Sequence, residues 1–220
     1  MPALAQEAHP DPCSGVAAKQ KGTCYRQKFT EADRELNAVY KRLYATFETA
    51  RQKAMQDNSR RWIAYKDELC LESTAINNGL TPQQAKNSAE YFSCLYDRTM
   101  ERTAYLKRAF AREGVTPGLA GTYDDGFGGT LTLKPANGDT YAFHLEVVRG
   151  PTYHTGDVEG DVHLQTRTAT FVQTVDCGEE TPCCRLTFTR APLFIAVEED
   201  NCGMFHGARA SFSGEYRKVK

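Results

Sequence analysis

Histidine and cysteine are the side chains from which acid–base, nucleophilic or metal chemistry would have to come in this chain, so their surroundings are read first. Five histidines and eight cysteines are present. His154 lies in Gly150-Pro-Thr-Tyr-His-Thr-Gly156 and His206 in Met204-Phe-His-Gly207, two stretches whose glycines let backbone approach other groups. Such residues can form a contact or hydrogen-bonding pair at one rim of a β fold. The plainer reading, that they brace turns through backbone hydrogen bonds, is preferred. His144 and His163 fall on outward positions of strand-like runs and read as solvated. The sequence contains no nucleophile elbow, phosphate loop, dinucleotide fingerprint or H-E-x-x-H. No catalytic residue, cofactor or metal ligand is assigned, and the chain reads as a non-enzyme.

The cysteines fall into two groups of four: Cys13, Cys24, Cys70 and Cys94, then Cys177, Cys183, Cys184 and Cys202. No C-x-x-C occurs and neither group has the spacing of a tetrahedral zinc site, so all eight read as disulfide partners. That use of sulfur requires an oxidising compartment, periplasmic or secreted. The opening Met1-Pro-Ala-Leu-Ala-Gln carries the Ala3-x-Ala5 pattern accepted by signal peptidase, without the apolar core of a signal; an ordinary alanine-rich terminus is the alternative. No apolar run is long enough to span a membrane as a helix.

The elements that hold these residues change character near Gly114. Only Gly15, Gly22 and Gly79 of the 17 glycines precede residue 113. Charge divides there too: residues 1–112 carry 18 Lys and Arg against 13 Asp and Glu, and residues 113–220 carry 9 against 15. In the first half, Thr30-Glu31-Ala32-Asp33 offers a helix start, followed by an apolar seam of Leu36, Val39, Tyr40, Leu43, Phe47 and Ala50. Met55, Trp62, Tyr65 and Leu69 form the stripe of a second helix, which Asn77-Asn78-Gly79 ends. Thr81-Pro82 reopens a third, running to about Arg112 through Phe92, Leu95, Tyr96, Thr99, Thr103, Leu106 and Phe110. Three such helices with short links make an antiparallel bundle. The order of pairing is left open there; Cys24 with Cys70 and Cys13 with Cys94 is the preferred set.

Cys13, Cys24, Ala32-Asp33-Arg34-Glu35-Leu36-Asn37-Ala38-Val39-Tyr40, Arg61-Trp62-Ile63-Ala64-Tyr65-Lys66-Asp67-Glu68-Leu69-Cys70 and Cys94-Leu95-x3-Arg98 stand in an order that resembles the helical domain of LprI-type lysozyme inhibitors. The resemblance covers about Cys13 to Arg108. It implies a small exported protein whose partner is a lysozyme or a related peptidoglycan hydrolase, and its signature residues are mainly scaffold. Lipoproteins are common in that family, but no lipobox cysteine follows Ala5.

After Val115-Thr116-Pro117-Gly118 the apolar period becomes two. Alternation around Tyr123, Leu131 and Leu133, Tyr141 to Val147, Val158 to Leu164, Phe171 to Val175, Leu186 and Phe188, Leu193 to Val197, and Ala210 to Tyr216 gives about eight strands. Asn137-Gly138 marks a tight hairpin. By parity Cys184 points inward toward Cys202, and Cys183 faces out near Cys177. Gly121-x-Tyr123, Gly128-Gly129-Thr130-Leu131 and Phe205-His206-Gly207-Ala208-x3-Phe212-x-Gly214-x-Tyr216 resemble the β domain that accompanies the helical one in some exported relatives. The motif of barrel-shaped inhibitors of the MliC type is not found.

The expected architecture is α+β in two domains: a disulfide-bonded antiparallel three-helix bundle, then a small antiparallel β-barrel or sandwich. Residues 1–12 read as signal remnant and lead-in, 13–112 as the helical domain and 118–220 as the all-β domain. The functional expectation is an exported binding protein that occludes the cleft of a lysozyme or related enzyme. Contacts are expected from Tyr153, His154, Phe205, His206 and Arg209. An immunity protein against a cell-wall-degrading effector, or an envelope structural or ligand-binding protein, are the alternatives. Asp157, Glu159 and Asp161 on one strand, and Glu179, Glu180, Glu198, Glu199 and Asp200 in loops, form an acidic field suited to a basic partner. The helical basic pairs Lys41-Arg42, Arg60-Arg61 and Lys107-Arg108 lack interleaved aromatics, which argues against nucleic acid.

Overall fold

A computed structural model describes residues 10–110, 118–174, 177–178, 182–192 and 194–219. The signal-like Met1–Ala5 stretch, the junction at Val115-Thr116-Pro117, and Val175, Glu179, Glu180 and Leu193 lie outside them. The chain forms two compact units, Met1–Leu106 and Lys107–Lys220.

The helical unit contains α1 (Ala18–Ala45), α2 (Thr49–Asn78), the single turn α3 (Pro82–Ala85) and α4 (Ala89–Phe110). The first helix starts twelve residues before the expected Thr30, and that hydroxyl bonds back to the Arg26 carbonyl at 2.9 Å. Gly22 reads as a breaker, yet local propensity is overridden by tertiary contacts. Cys13 is bonded to Cys24, and Tyr25 is buried with its hydroxyl donating to Asp11 at 2.7 Å. Asp11 also accepts from the Cys13 amide at 2.8 Å, so the lead-in is fastened to the first turns of α1.

Gly79, left-handed at φ 61°, ends α2 as expected, and Thr81 with Gln84 forms a capping box around Pro82. The third helix is not continuous from there. It stops after one turn, and Ser88 recaps the chain by accepting from the Tyr91 amide at 3.2 Å, opening α4.

The preferred pairing of the N-terminal cysteines is also corrected: the bridges are Cys13–Cys24 and Cys70–Cys94. Helix antiparallelism brings the end of α2 to the start of α4, which makes the second bridge direct. The early start of α1 places Cys24 on a helix beside the lead-in, within reach of Cys13.

Met55, Trp62 and Leu69 are buried as predicted, but the α2 stripe continues through Lys66, 6% exposed, instead of Tyr65. Its ammonium lies 5.0 Å from the Phe29 ring centre and 5.4 Å from that of Trp62, with Asp67 at 3.2 Å. The lysine stem packs as an apolar chain and the charge rests on aromatic faces.

The second unit is an up-and-down β-barrel, open along one seam. Its strands are β1 (Gly121–Asp124), β2 (Gly129–Pro135), β3 (Thr140–Arg149), β4 (His154–His163), β5 (Thr168–Val172), β6 (Arg185–Arg190), β7 (Ile195–Asp200) and β8 (Gly214–Lys218). They form one antiparallel sheet in the order β4-β3-β2-β1-β8-β7-β6-β5, so β4 and β5 are its two edges. Alternation drives the closure: Leu131, Leu133, Phe143, Leu145, Val158, Leu186, Phe188, Val197 and Tyr216 fill the interior. At the seam Phe171 of β5 lies against Gly160 of β4, where a Cβ would collide with the ring. Only glycine admits that approach.

Cys184–Cys202 is inside and Cys177–Cys183 closes the small surface loop, as parity predicts. Ala210 and Phe212 are buried but precede β8 instead of belonging to it, and Glu198, Glu199 and Asp200 lie on β7 instead of in a loop.

Candidate functional site

Hairpin connectivity places the β1–β2, β3–β4, β5–β6 and β7–β8 connections at the same end of the barrel. Two of them carry the residues singled out from the sequence, and they are stitched together by backbone. The Gly207 amide donates to Thr155 O at 2.9 Å, the Asp157 amide to Phe205 O at 3.2 Å, and Gly156 forms a β-bridge with His206. A Cβ on Gly207 would stand 2.5 Å from His154 Nδ1. The imidazole therefore packs closely against the neighbouring connection.

His206 is turned inward. Its Nε2 is 3.2 Å from Glu199 Oε1, its Nδ1 is 3.0 Å from the Gly207 carbonyl oxygen, and its ring meets Phe212 edge-on at 5.2 Å. Glu199 also accepts from the Phe212 amide at 2.6 Å. One carboxylate thus holds both the ring and the chain that returns to β8. Phe205 is half-buried against the core.

The five residues expected at this rim divide by exposure. Tyr153, 57% exposed, and Arg209 face solvent, while His154, Phe205 and His206 act as the bracing beneath them. Tyr153 holds a left-handed backbone at φ 53°. Two further exposed apolar side chains, not picked out from the sequence, belong to the same end: Val148, whose strand partner is Thr155, and Met204, 68% exposed. Their signal was weak because a single exposed Val or Met is ordinary.

Below the rim lies a polar cluster that sequence reasoning missed. Asp125, 2% exposed, accepts from the amides of Phe127 and Gly129 at 2.8 Å each, and from Arg149 Nη2 at 2.5 Å. It ties the β1–β2 turn to the end of β3. Tyr216, fully buried on β8, donates to Phe212 O at 2.9 Å, and burial, then the Asp125 charge, raise its ionisation well above the ordinary tyrosine range. Asp124-Asp125-Gly126 reads as turn chemistry, and nothing in it announces an interior carboxylate.

On the outer face of β3 and β4, His144 Nε2 is 2.7 Å from Asp157 Oδ2, and its Nδ1 is 3.6 Å from Glu146 Oε2. His144 is outward as predicted, and it is paired with acids. His163, also outward, has its Nδ1 3.2 Å from the Thr140 hydroxyl. On the helices Lys41, Arg42, Arg60, Arg61, Lys107 and Arg108 are exposed. No described helix is long and apolar enough to cross a membrane.

The rim offers shape, apolar surface and rigid support. Residues 13–106 match the family described as Lysozyme inhibitor LprI, and that match coincides with the helical unit. No curated protein and no solved structure matches the chain.

Proposed function

We propose that this chain, with its LprI-type helical unit, is an exported inhibitor of lysozyme or a related peptidoglycan-cleaving enzyme, acting by stoichiometric occlusion of the enzyme's cleft. The observation that carries the proposal is the family match over residues 13–106. Four disulfides support export, because they persist in an oxidising compartment.

The β rim supplies the contact. Tyr153 is a large amphipathic anchor, and the exposed Met204, Val148 and Arg209 at the same end of the barrel add apolar stems and one cation. His154, Phe205 and His206 fix the connections that present it, so little conformational entropy is lost on docking. The excess of 15 Asp and Glu over 9 Lys and Arg in residues 113–220 favours encounter with a basic enzyme. An immunity protein would use the same rim against a rival's hydrolase.

The deciding experiment is a cell-wall clearing assay with the purified, oxidised protein. Lysis falls toward zero as the ratio to enzyme approaches one-to-one, and Tyr153→Ala weakens the effect. Unchanged lysis across several lysozyme classes overturns the proposal.

A further inference from the structure

A second cluster of side chains lies on the wall of the barrel, away from the core, on the two strands β3 and β4. His144 and Glu146 are two apart on β3 and so share its outer face. The register sets Glu159 opposite His144 and Asp157 opposite Glu146. One imidazole and three carboxylates thus occupy the corners of a cross-strand square, and the β2 residues beside it, Thr132 next to His144 and Thr130 next to Glu146, are uncharged.

One donor atom from each of His144, Glu146 and Asp157 lies within 4.8 Å of the others. Ligands about 2.0–2.1 Å from a tetrahedral zinc ion stand roughly 3.3 Å apart, so small side-chain rotations close the set around one ion. We propose that this face binds a first-row divalent metal ion, zinc being the best fit, through His144 Nε2 and the carboxylates of Glu146 and Asp157, with Glu159 or water completing the shell.

Chemistry favours a metal over a mere ion pair for two reasons. Three carboxylates around one imidazole leave an excess of negative charge that a single protonated ring does not neutralise, whereas a dication nearly does. The mixed nitrogen and oxygen donor set also suits zinc, nickel or copper better than calcium, which takes oxygen alone. The placement has a structural consequence. β4 is a sheet edge, paired with β3 and facing the open seam, so an ion held by residues of both strands crosslinks the edge to the sheet. Asp157 is in addition the residue whose amide holds the β7–β8 connection through Phe205 O. Metal binding therefore stiffens the same strand that carries the rim.

The test uses tag-free, chelator-treated protein and cobalt(II) as the visible probe, with zinc in competition. Cobalt bands characteristic of nitrogen and oxygen ligation are expected to saturate at one ion per chain, to be displaced by zinc, and to be accompanied by a rise in the thermal midpoint. His144→Asn and Asp157→Asn are each expected to weaken binding at least tenfold. The surface changes Asp161→Asn and His163→Asn, on the same face of β4, are expected to leave it unaltered. Absence of cobalt bands together with unmoved imidazole NMR signals at millimolar zinc overturns the proposal, as does binding that survives His144→Asn.

Discussion

Arg102 of α4 sets its guanidinium carbon 5.4 Å from the centre of the Trp62 ring of α2, and the Lys66 ammonium lies at the same distance from that ring. Both cations are at least nine-tenths buried. Arg102 also rests 4.9 Å from the Tyr105 ring centre and donates through Nη2 to Asn58 Oδ1. Desolvated cation–π contacts are worth about 2 kcal/mol or more, which offsets part of the burial cost of each charge. Trp62 thus carries two buried cations against its ring, one from its own helix and one from α4.

Trp62→Ala should cost the helical unit about 3–5 kcal/mol, because it leaves a cavity and removes the face that both cations use. Arg102→Met, which takes away one buried charge while keeping its volume, should be close to neutral. Denaturant titration of the two variants checks the contrast; an equal loss for Arg102→Met would mean that the cation contacts outweigh the cost of burying the charge.

The Cys70–Cys94 bridge spans 24 residues and Cys13–Cys24 spans 11. Chain-entropy arguments give them about 3.5 and about 2.8 kcal/mol. Replacing both members of a pair by alanine should therefore destabilise more for the first than for the second. Peptide mapping under non-reducing conditions reads the connectivity directly. Recovery of a Cys24–Cys70 peptide would contradict the structure.

Burial pushes the Tyr123 phenol up to about 12, and raises Tyr216 and, at the lead-in, Tyr25 as well. A raised value in the folded state means that neutral tyrosine is favoured there, so the contribution is complete below the unfolded value of 10.0 and is lost as pH rises through the folded one. Between pH 10 and 12 the β unit should lose stability. Ultraviolet titration should show Tyr123 and Tyr216 ionising well above pH 10, as the β unit unfolds. A single class at pH 10 in the folded protein would contradict this.

What could be read from sequence follows the strength of each periodic signal. The two-residue beat from Tyr141 to Val147 predicts β3 and its inward side chains because one face meets a core, and Asn137-Gly138 sets its register with β2, Gly138 adopting φ 60°. Met55, Trp62 and Leu69 follow from helical spacing in the same way. Lys66, Arg102 and Asp125 break the rule that buried residues are apolar, and their burial depends on partners distant in the chain, which no local pattern reveals. The early start of α1 and the break after α3 likewise turn on tertiary ties that outweigh Gly22 and on a recapping serine. At the rim, the glycines around His154 and His206 correctly signal close backbone approach. They do not say which side chain braces and which is displayed, since that is decided by Glu199 across the loop.

Tyr153 separates stability from recognition. A non-glycine residue at φ 53° carries on the order of 1–2 kcal/mol of left-handed strain, and this side chain is too exposed to recover it through core contacts. Tyr153→Gly should therefore raise the thermal midpoint of the β unit slightly or leave it unchanged, although it deletes the largest exposed side chain of the rim. If the rim is the inhibitory surface, the same variant should need at least tenfold more protein to suppress lysis in the clearing assay. Gly207→Ala provides the converse. Its methyl group collides with the His154 ring, where the gap is 2.5 Å, so the two connections must part and both stability and inhibition should fall. A Tyr153→Gly protein that is more stable and equally inhibitory would remove the contact role from this end of the barrel. Inhibition would then have to reside in the helical unit, whose exposed basic pairs would be the next residues to substitute.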